Sequence, residues 1–84
     1  MIKIMIIKIC PREKNAPKVQ HILTDFGKFI KARLGLHNVE ACTNSSTGII
    51  ILHLTSEEKY NDNIISLKKK LESIDGVTVQ LQVM

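Results

Sequence analysis

Basic and amide side chains cluster where the first predicted strand leads into the first predicted helix. Arg12, Lys14, Asn15 and Lys18 lie close together in the sequence. Backbone N–H groups at a helix N-terminus and the positive end of the helix dipole attract anions there. We therefore predict that these four residues bind a small-molecule effector. The stretch has no glycine, so it does not match a loop that wraps a phosphate.

The cysteines and histidines are the candidate metal ligands and nucleophiles. Cys10 and Cys42 are far apart and belong to no C-x-x-C motif, which predicts ordinary reduced thiols. His21 and His37 fall on a predicted helix and loop, whereas His53 shares a strand face with isoleucines. The pattern predicts no metal site and no cofactor. An alternative stays open, in which His53 and a His or Cys of a second copy bind a metal at an interface.

Enzymatic activity is not predicted. No Ser/His/Asp or Cys/His group shows a recognisable spacing. The stretch Cys10 to Asn15 lacks the glycines of an acylphosphatase-type loop, and Cys10 is not part of a metallochaperone motif. The sequence therefore assigns no catalytic residue.

Direct nucleic-acid binding is also not predicted, although the formal net charge is +4, from 12 Lys and Arg against 8 Asp and Glu. RNA-recognition domains of similar topology stack bases on aromatic side chains of the central strands. Aromatic residues make up only 4% of this chain. The predicted central strands contain none, and the basic residues are dispersed among acidic ones.

Length and composition predict a single cytoplasmic domain spanning residues 1–84. Apolar residues make up 44% of the chain, which excludes a disordered polymer. No apolar run is long enough to span a membrane. The run Ile2 to Ile9 contains Lys3 and Lys8 and lacks a small-residue cleavage site, so it does not resemble a signal peptide.

Two strands are predicted to be apolar on both faces. The β-branched run over residues 2–9 predicts strand 1, which ends at Cys10-Pro11. The polar stretch His37 to Gly48 contains a turn signal over residues 44–48. Strand 3 follows it, from Ile49 to Leu54.

The first helix is predicted after a loop at Arg12 to Asn15. Asn15 or Ala16 caps it, and Pro17 lies in its first turn, where a missing N–H costs nothing. The helix ends near Gly27. Its apolar stripe has helical spacing and consists of Val19, Ile22, Leu23 and Phe26.

The outer strands are predicted to have one buried and one polar face. Ile30, Ala32 and Leu34 alternate with basic residues, which predicts strand 2 with these three on its buried side. Gly35 ends or bends this strand. Strand 4 runs from Val77 to Val83, with its four apolar residues inward and Thr78, Gln80 and Gln82 outward.

The second helix is predicted to begin between Ser56 and Asn63 and to stop at Asp75-Gly76. The lysines at residues 68–70 lie toward its C-terminal end, where their positive charges interact favourably with the helix dipole. Its apolar stripe consists of Tyr60, Ile64, Leu67, Leu71 and Ile74.

The element order β-α-β-β-α-β, with right-handed crossovers, predicts an α+β fold of the ferredoxin-like type. The sheet order is then 4-1-3-2, and both helices lie on one face. Strands 1 and 3 are central and apolar on both sides, so the second face of the sheet needs a cover. A second copy is the simplest one, which predicts a homo-oligomer, a dimer or a tetramer.

Three segments resemble one known family, the iron-only hydrogenase system regulators. They are Arg33 to Leu36, Gly48 to Leu52, and Leu67 to Val79. The resemblance implies a short ACT-like, ferredoxin-like domain that takes part in transcription regulation or in the hydrogenase system. It also implies relatives among effector-sensing domains and nickel-responsive repressors, which pair and bind small ligands at their interfaces. In the amino-acid-sensing relatives, the loop after strand 1 contributes to the ligand site.

Overall fold

The computed structural model of the chain describes residues 1–37 and 47–84. The predictions for the turn at residues 44–46 and for Cys42 lie outside these residues. Short 3-10 helices at Gly27–Phe29 and Glu58–Tyr60 precede the second strand and the second helix. The main elements in chain order are β1 (Lys3–Ile9), α1 (Arg12–Asp25), β2 (Ile30–His37), β3 (Gly48–Leu54), α2 (Asn61–Glu72) and β4 (Val77–Val83).

The four strands form one antiparallel sheet in the order β2-β3-β1-β4. This is the predicted order 4-1-3-2 read in reverse, so the ferredoxin-like fold is confirmed. In the centre of the sheet, Ile7 of β1 lies opposite Ile50 of β3 and Val79 of β4. None of the helices within residues 1–37 and 47–84 is long and apolar enough to cross a membrane.

One face of the sheet, the covered face, packs against both helices. The predicted stripes of the helices are confirmed, because Val19, Leu23, Leu67 and Leu71 are buried among the strands' side chains. Lys3 is a charged exception on this face, only 6% exposed, and its ammonium donates a hydrogen bond to the Asn61 side chain. From the strands, the covered face contributes buried Met5, Ile7, Ile9, Ile50, Leu52, Leu54, Val77 and Val79.

The other face of the sheet, the open face, has no described element packed over it. Cross-strand partners lie on the same face, so the pairing register assigns its members. Polar side chains occupy its β4 side, at Thr78, Gln80 and Gln82, and Lys8 and His53 are polar residues of the central strands on the same face. Its apolar members come from the other three strands and are Ile4, Ile6, Ala32, Leu34, Leu36, Ile49 and Ile51.

The prediction of which side chains of strand 2 face the core is wrong beyond Ile30. A register irregularity between Ile30 and Ala32 shifts the alternation of side chains. Ile30 stays on the covered face, opposite Leu54, whereas Leu34 lies opposite Ile51 on the open face and is 56% exposed. The strand also continues past Gly35 instead of ending there.

The predicted start of the first helix is also wrong. Residues 12–15, which the sequence predicts as a loop, form the first turn of α1, and Pro11 is the N-cap residue. Pro17 therefore lies inside the helix and not in its first turn. The start of α2 at Asn61 agrees with the predicted window.

Candidate functional site

The structure does not bring the four predicted ligand-binding residues together. A helix turns about 100° per residue, so neighbours along α1 point in different directions. Lys14 and Lys18 share one exposed side of α1. Asn15 faces inward, and Arg12 lies against β3. The four positions therefore do not form one site.

Asn15 has a structural position. It is 2% exposed, and its amide nitrogen donates hydrogen bonds to the carbonyl oxygen of Asp75 at 2.8 Å and to that of Cys10 at 3.4 Å. Gly76 lies beside this contact with a φ of +90°, and a Cβ there would lie 1.9 Å from the Cys10 oxygen. These contacts hold the start of α1 against the turn that precedes β4.

Arg12 instead belongs to a pocket between α1 and the β2 edge of the sheet, which we call the arginine pocket. On α1, Arg12, Ala16 and Gln20 are spaced four residues apart and therefore share one side of the helix. The pocket has a volume of about 140 Å³. Its lining residues are Ile9, Arg12, Ala16, Gln20, Arg33, Gly35, Leu36, Gly48, Ile49 and Ile50.

The polar groups of the arginine pocket are two guanidinium groups and one carboxamide. Arg33 donates a hydrogen bond from Nη2 to Oε1 of Gln20. The Nε atom of Arg12 is buried and has no hydrogen-bond partner among the described residues. A Cβ on Gly48 would lie 2.9 Å from Cδ of Arg12, so this glycine leaves space for the arginine side chain. None of the described residues that line the pocket is acidic.

The sequence prediction missed Gln20 and Arg33 as members of this pocket. The spacing of Arg12, Ala16 and Gln20 was a usable signal, but it requires that Arg12 be helical. The alternation of strand 2 predicts Arg33 on the polar side, whereas the irregularity in β2 places it on the covered face, opposite Leu52.

The cysteines and histidines do not form a metal centre in the part of the chain that the structure describes, where no three potential ligands converge. Cys10 is disulfide-bonded, which corrects the prediction of a reduced thiol for this residue. His53 lies on the open face, opposite Ile4 and Ala32, as its strand alternation predicts. The metal-sensing alternative therefore stays a prediction.

The three aromatic residues of the chain pack together. The ring centroids of Phe26 and Phe29 lie 6.0 Å apart, and those of Phe29 and Tyr60 lie 5.0 Å apart. Both phenylalanines belong to the buried core, and Tyr60 packs against it. The aromatic side chains are thus on the helix side of the molecule, whereas base stacking on a sheet would need them on the open face.

A family match covers almost the whole chain. Residues 1–81 match the family described as "TM1266-like: Iron-only hydrogenase system regulator, putative". No curated protein matches the sequence.

Solved structures share the fold at low sequence identity. CPII bound to ADP, AMP and acetate, from Thiomonas intermedia K12, has a TM-score of 0.69 and 11% identity, over 96% of this chain and 83% of that one. A formyltetrahydrofolate deformylase from Pseudomonas putida KT2440 has a TM-score of 0.62 and 13% identity, over 100% of this chain but 29% of the deformylase. A functionally unknown protein from Pediococcus pentosaceus ATCC 25745 has a TM-score of 0.59 and 13% identity, over 99% of this chain and 90% of that one. These similarities show the fold alone.

Proposed function

Because the chain belongs to the iron-only hydrogenase system regulator family, we propose that it is a non-enzymatic regulatory module that self-associates and senses a small-molecule effector. The observation that carries this proposal is the open face of the sheet. Leu34 is 56% exposed and Leu36 is 40% exposed there, next to the partly exposed Ile49 and Ile51. Contiguous apolar surface of this kind is typical of interaction sites.

Burial of the open face would stabilise an assembly substantially. Complete burial of one leucine or isoleucine side chain contributes about 1.5–3 kcal/mol, and several such residues lie side by side here. A standard interface buries about 800 Å² per partner. That area is roughly a seventh of the accessible surface of 5278 Å², so one sheet face of this domain is of suitable size.

A second copy of the chain is the occupant that the composition of the face favours. In a two-fold symmetric pair the same patch meets itself, so an apolar patch is automatically complementary. The polar residues of β4, Gln80 and Gln82, would then form a solvated rim beside the apolar residues of the other strands. A small domain also has a thin margin of stability, which association increases.

In a module that acts through self-association, an effector must bind the monomer and the oligomer with different affinity, so that it changes the association equilibrium. Leu36 and Ile49 line the arginine pocket, and both also belong to the open face. A ligand in the pocket would therefore lie next to two residues whose side chains a second copy on the open face would contact. We propose that the module regulates through this coupling. Its aromatic residues are packed in the core, so we expect it to act through protein partners and not by direct binding to nucleic acid.

The self-association is tested by size-exclusion chromatography with light scattering at micromolar protein concentration. The expected mass is a multiple of the 9.5 kDa monomer. Leu34→Gln should shift the equilibrium toward monomer. Val83→Gln is the matched control, because Val83 is 49% exposed but lies at the end of β4 on the covered-face side. A monomeric wild-type protein, or equal effects of the two variants, would contradict the proposal.

A further inference from the structure

The arginine pocket combines positive charge, an unused donor and an apolar wall. Arg12 comes from α1 and Arg33 from β2, so two separate elements each supply a guanidinium group. Neither arginine forms an ion pair with a carboxylate of the described residues. Guanidinium groups present N–H donors in a planar fork that matches the oxygens of a carboxylate or phosphate.

The buried Nε of Arg12 is the strongest sign that the pocket lacks a component. A buried donor without an acceptor destabilises the fold, and more strongly when it belongs to a charged group. The carboxamide oxygen of Gln20 accepts a hydrogen bond from Arg33 and none from Nε of Arg12. An anionic ligand would supply the missing acceptor and neutralise the two arginines together.

The rest of the lining selects the kind of anion. Ile9, Ala16 and Ile50 are apolar and lie beside the arginines. Inorganic phosphate has oxygens on every side and would leave some of them against these apolar groups. A molecule with one charged end and a short hydrocarbon body would satisfy both parts of the wall.

The pocket also has the size for such a molecule. Its volume of about 140 Å³ is well above the roughly 10–15 Å³ that one water needs on the same kind of measure. Gly35 contributes to this space, because a Cβ there would meet no atom within 4 Å. The volume beside Gly35 is therefore open and could be filled by a larger side chain without a clash at the first carbon.

We propose that the arginine pocket binds a small aliphatic carboxylate, with the carboxylate between Arg12 and Arg33 and the hydrocarbon part against Ile9 and Ile50. This inference rests on the proposed function, since it gives the chemical class of the effector. The bound molecule would also lie next to Leu36 and Ile49, which link the pocket to the open face.

The test is a titration of the full chain with butyrate. Isothermal calorimetry measures the affinity, and amide chemical shifts show which residues are affected. Neutral butyramide, which has the same shape, and inorganic phosphate are titrated in parallel. We expect saturable butyrate binding with shifts at residues lining the pocket, and at least about tenfold weaker binding of butyramide, because it cannot form charge-assisted hydrogen bonds. Phosphate should also bind at least about tenfold more weakly than butyrate, as it lacks an apolar part.

Two variants locate the site, and a third variant serves as the control. Arg33→Gln removes one charge and should weaken butyrate binding by about tenfold or more. Gly35→Val fills the pocket at unchanged charge and should also weaken butyrate binding by about tenfold or more. Lys31→Gln removes a charge from the same strand but outside the pocket lining, so its affinity should stay within about twofold of the wild type.

Each contrary outcome overturns the assignment. Equal binding of butyrate and butyramide, or undiminished binding by Gly35→Val, excludes a carboxylate in this pocket. Phosphate binding as tight as that of butyrate indicates a phosphate site instead. Equal losses in Arg33→Gln and Lys31→Gln indicate general charge attraction. The mass of each sample, measured in parallel, separates the two proposals: an oligomer that does not bind butyrate contradicts only the ligand, and a monomer that binds it contradicts only the self-association.

Discussion

The two faces of the sheet are built from the same kinds of side chain but differ in what covers them. Leu52 and Ile51 are neighbours on β3, and they illustrate the difference. Leu52 points to the helices and is 0% exposed, whereas Ile51 points to the open face and stays partly exposed. Two helices cover one face of this sheet and cannot cover both. The covered face therefore accounts for the stability of the single chain, and the open face for its proposed association.

The largest expected difference between the faces appears in a pair of alanine substitutions on β3. Leu52→Ala should lower the free energy of unfolding by about 2–5 kcal/mol, because it leaves a cavity under the helices. Ile51→Ala should lower it by less than about 1 kcal/mol in dilute protein, since its side chain is already partly in water. Urea unfolding followed by circular dichroism measures both.

The concentration dependence of the same unfolding curves sharpens this comparison. If the open face binds a second copy, the effect of Ile51→Ala should grow as the wild-type protein is made more concentrated. The effect of Leu52→Ala on the folded chain itself should not need association. Equal losses for both variants in dilute protein would show that the two faces do not differ in the way described.

Asn15 provides a smaller effect on the covered side. Asn15→Ala should lower the free energy of unfolding by about 1–3 kcal/mol, because it removes the buried amide that donates to the carbonyl groups of Cys10 and Asp75. Lys14→Ala is the control, since Lys14 is exposed on the same helical turn and should change stability by less than about 0.5 kcal/mol. Thermal unfolding of the two variants side by side measures the difference, and equal midpoints would contradict the structural role of Asn15.

The smallest expected effect comes from the two lysines of β1, which lie on opposite faces. Lys3→Met keeps the side-chain length and removes a charge that has no ion-pair partner among the described residues, so stability should stay the same or rise by up to about 1 kcal/mol. Lys8→Met adds apolar surface to the open face and should strengthen association with little effect on the unfolding of the monomer.

Unfolding curves and sedimentation of both lysine variants check these expectations. A loss of more than about 2 kcal/mol in Lys3→Met would show that the hydrogen bond to Asn61 stabilises the fold more than the buried charge costs. Weaker association of Lys8→Met would argue against the open face as the interface.

Sequence patterns were sufficient for the sheet order and for most of the core. The apolar runs of β1 and β3 identified the central strands, and the strict alternation of β4 identified an edge strand whose outer face is polar. Helical spacing identified the buried stripes of α1 and α2. These features depend on short-range periodicity, which the sequence displays directly.

The errors arose where a contact between distant residues decides the local structure. The irregularity in β2 depends on pairing with β3, so the alternation from Ile30 to Leu34 could not reveal the change of face. The early start of α1 accompanies the contact between Asn15 and Asp75, which lie 60 positions apart. The arginine pocket needs both corrections, since Arg12 must be helical and Arg33 must face the helices. Of the two arginines, the sequence pattern predicts only Arg12 as a ligand-binding residue.

The central claim is that a second copy covers the open face, and intermolecular contacts between methyl groups test it most directly. A sample that mixes methyl-labelled and unlabelled chains gives nuclear Overhauser effects between copies. We predict that the labelled methyl groups showing them are those of Leu34, Ile51 and Ile6, which lie opposite one another on three adjacent strands. Contacts confined to the outer surface of the helices, or no intermolecular contacts at a concentration where the protein is oligomeric, would contradict the account.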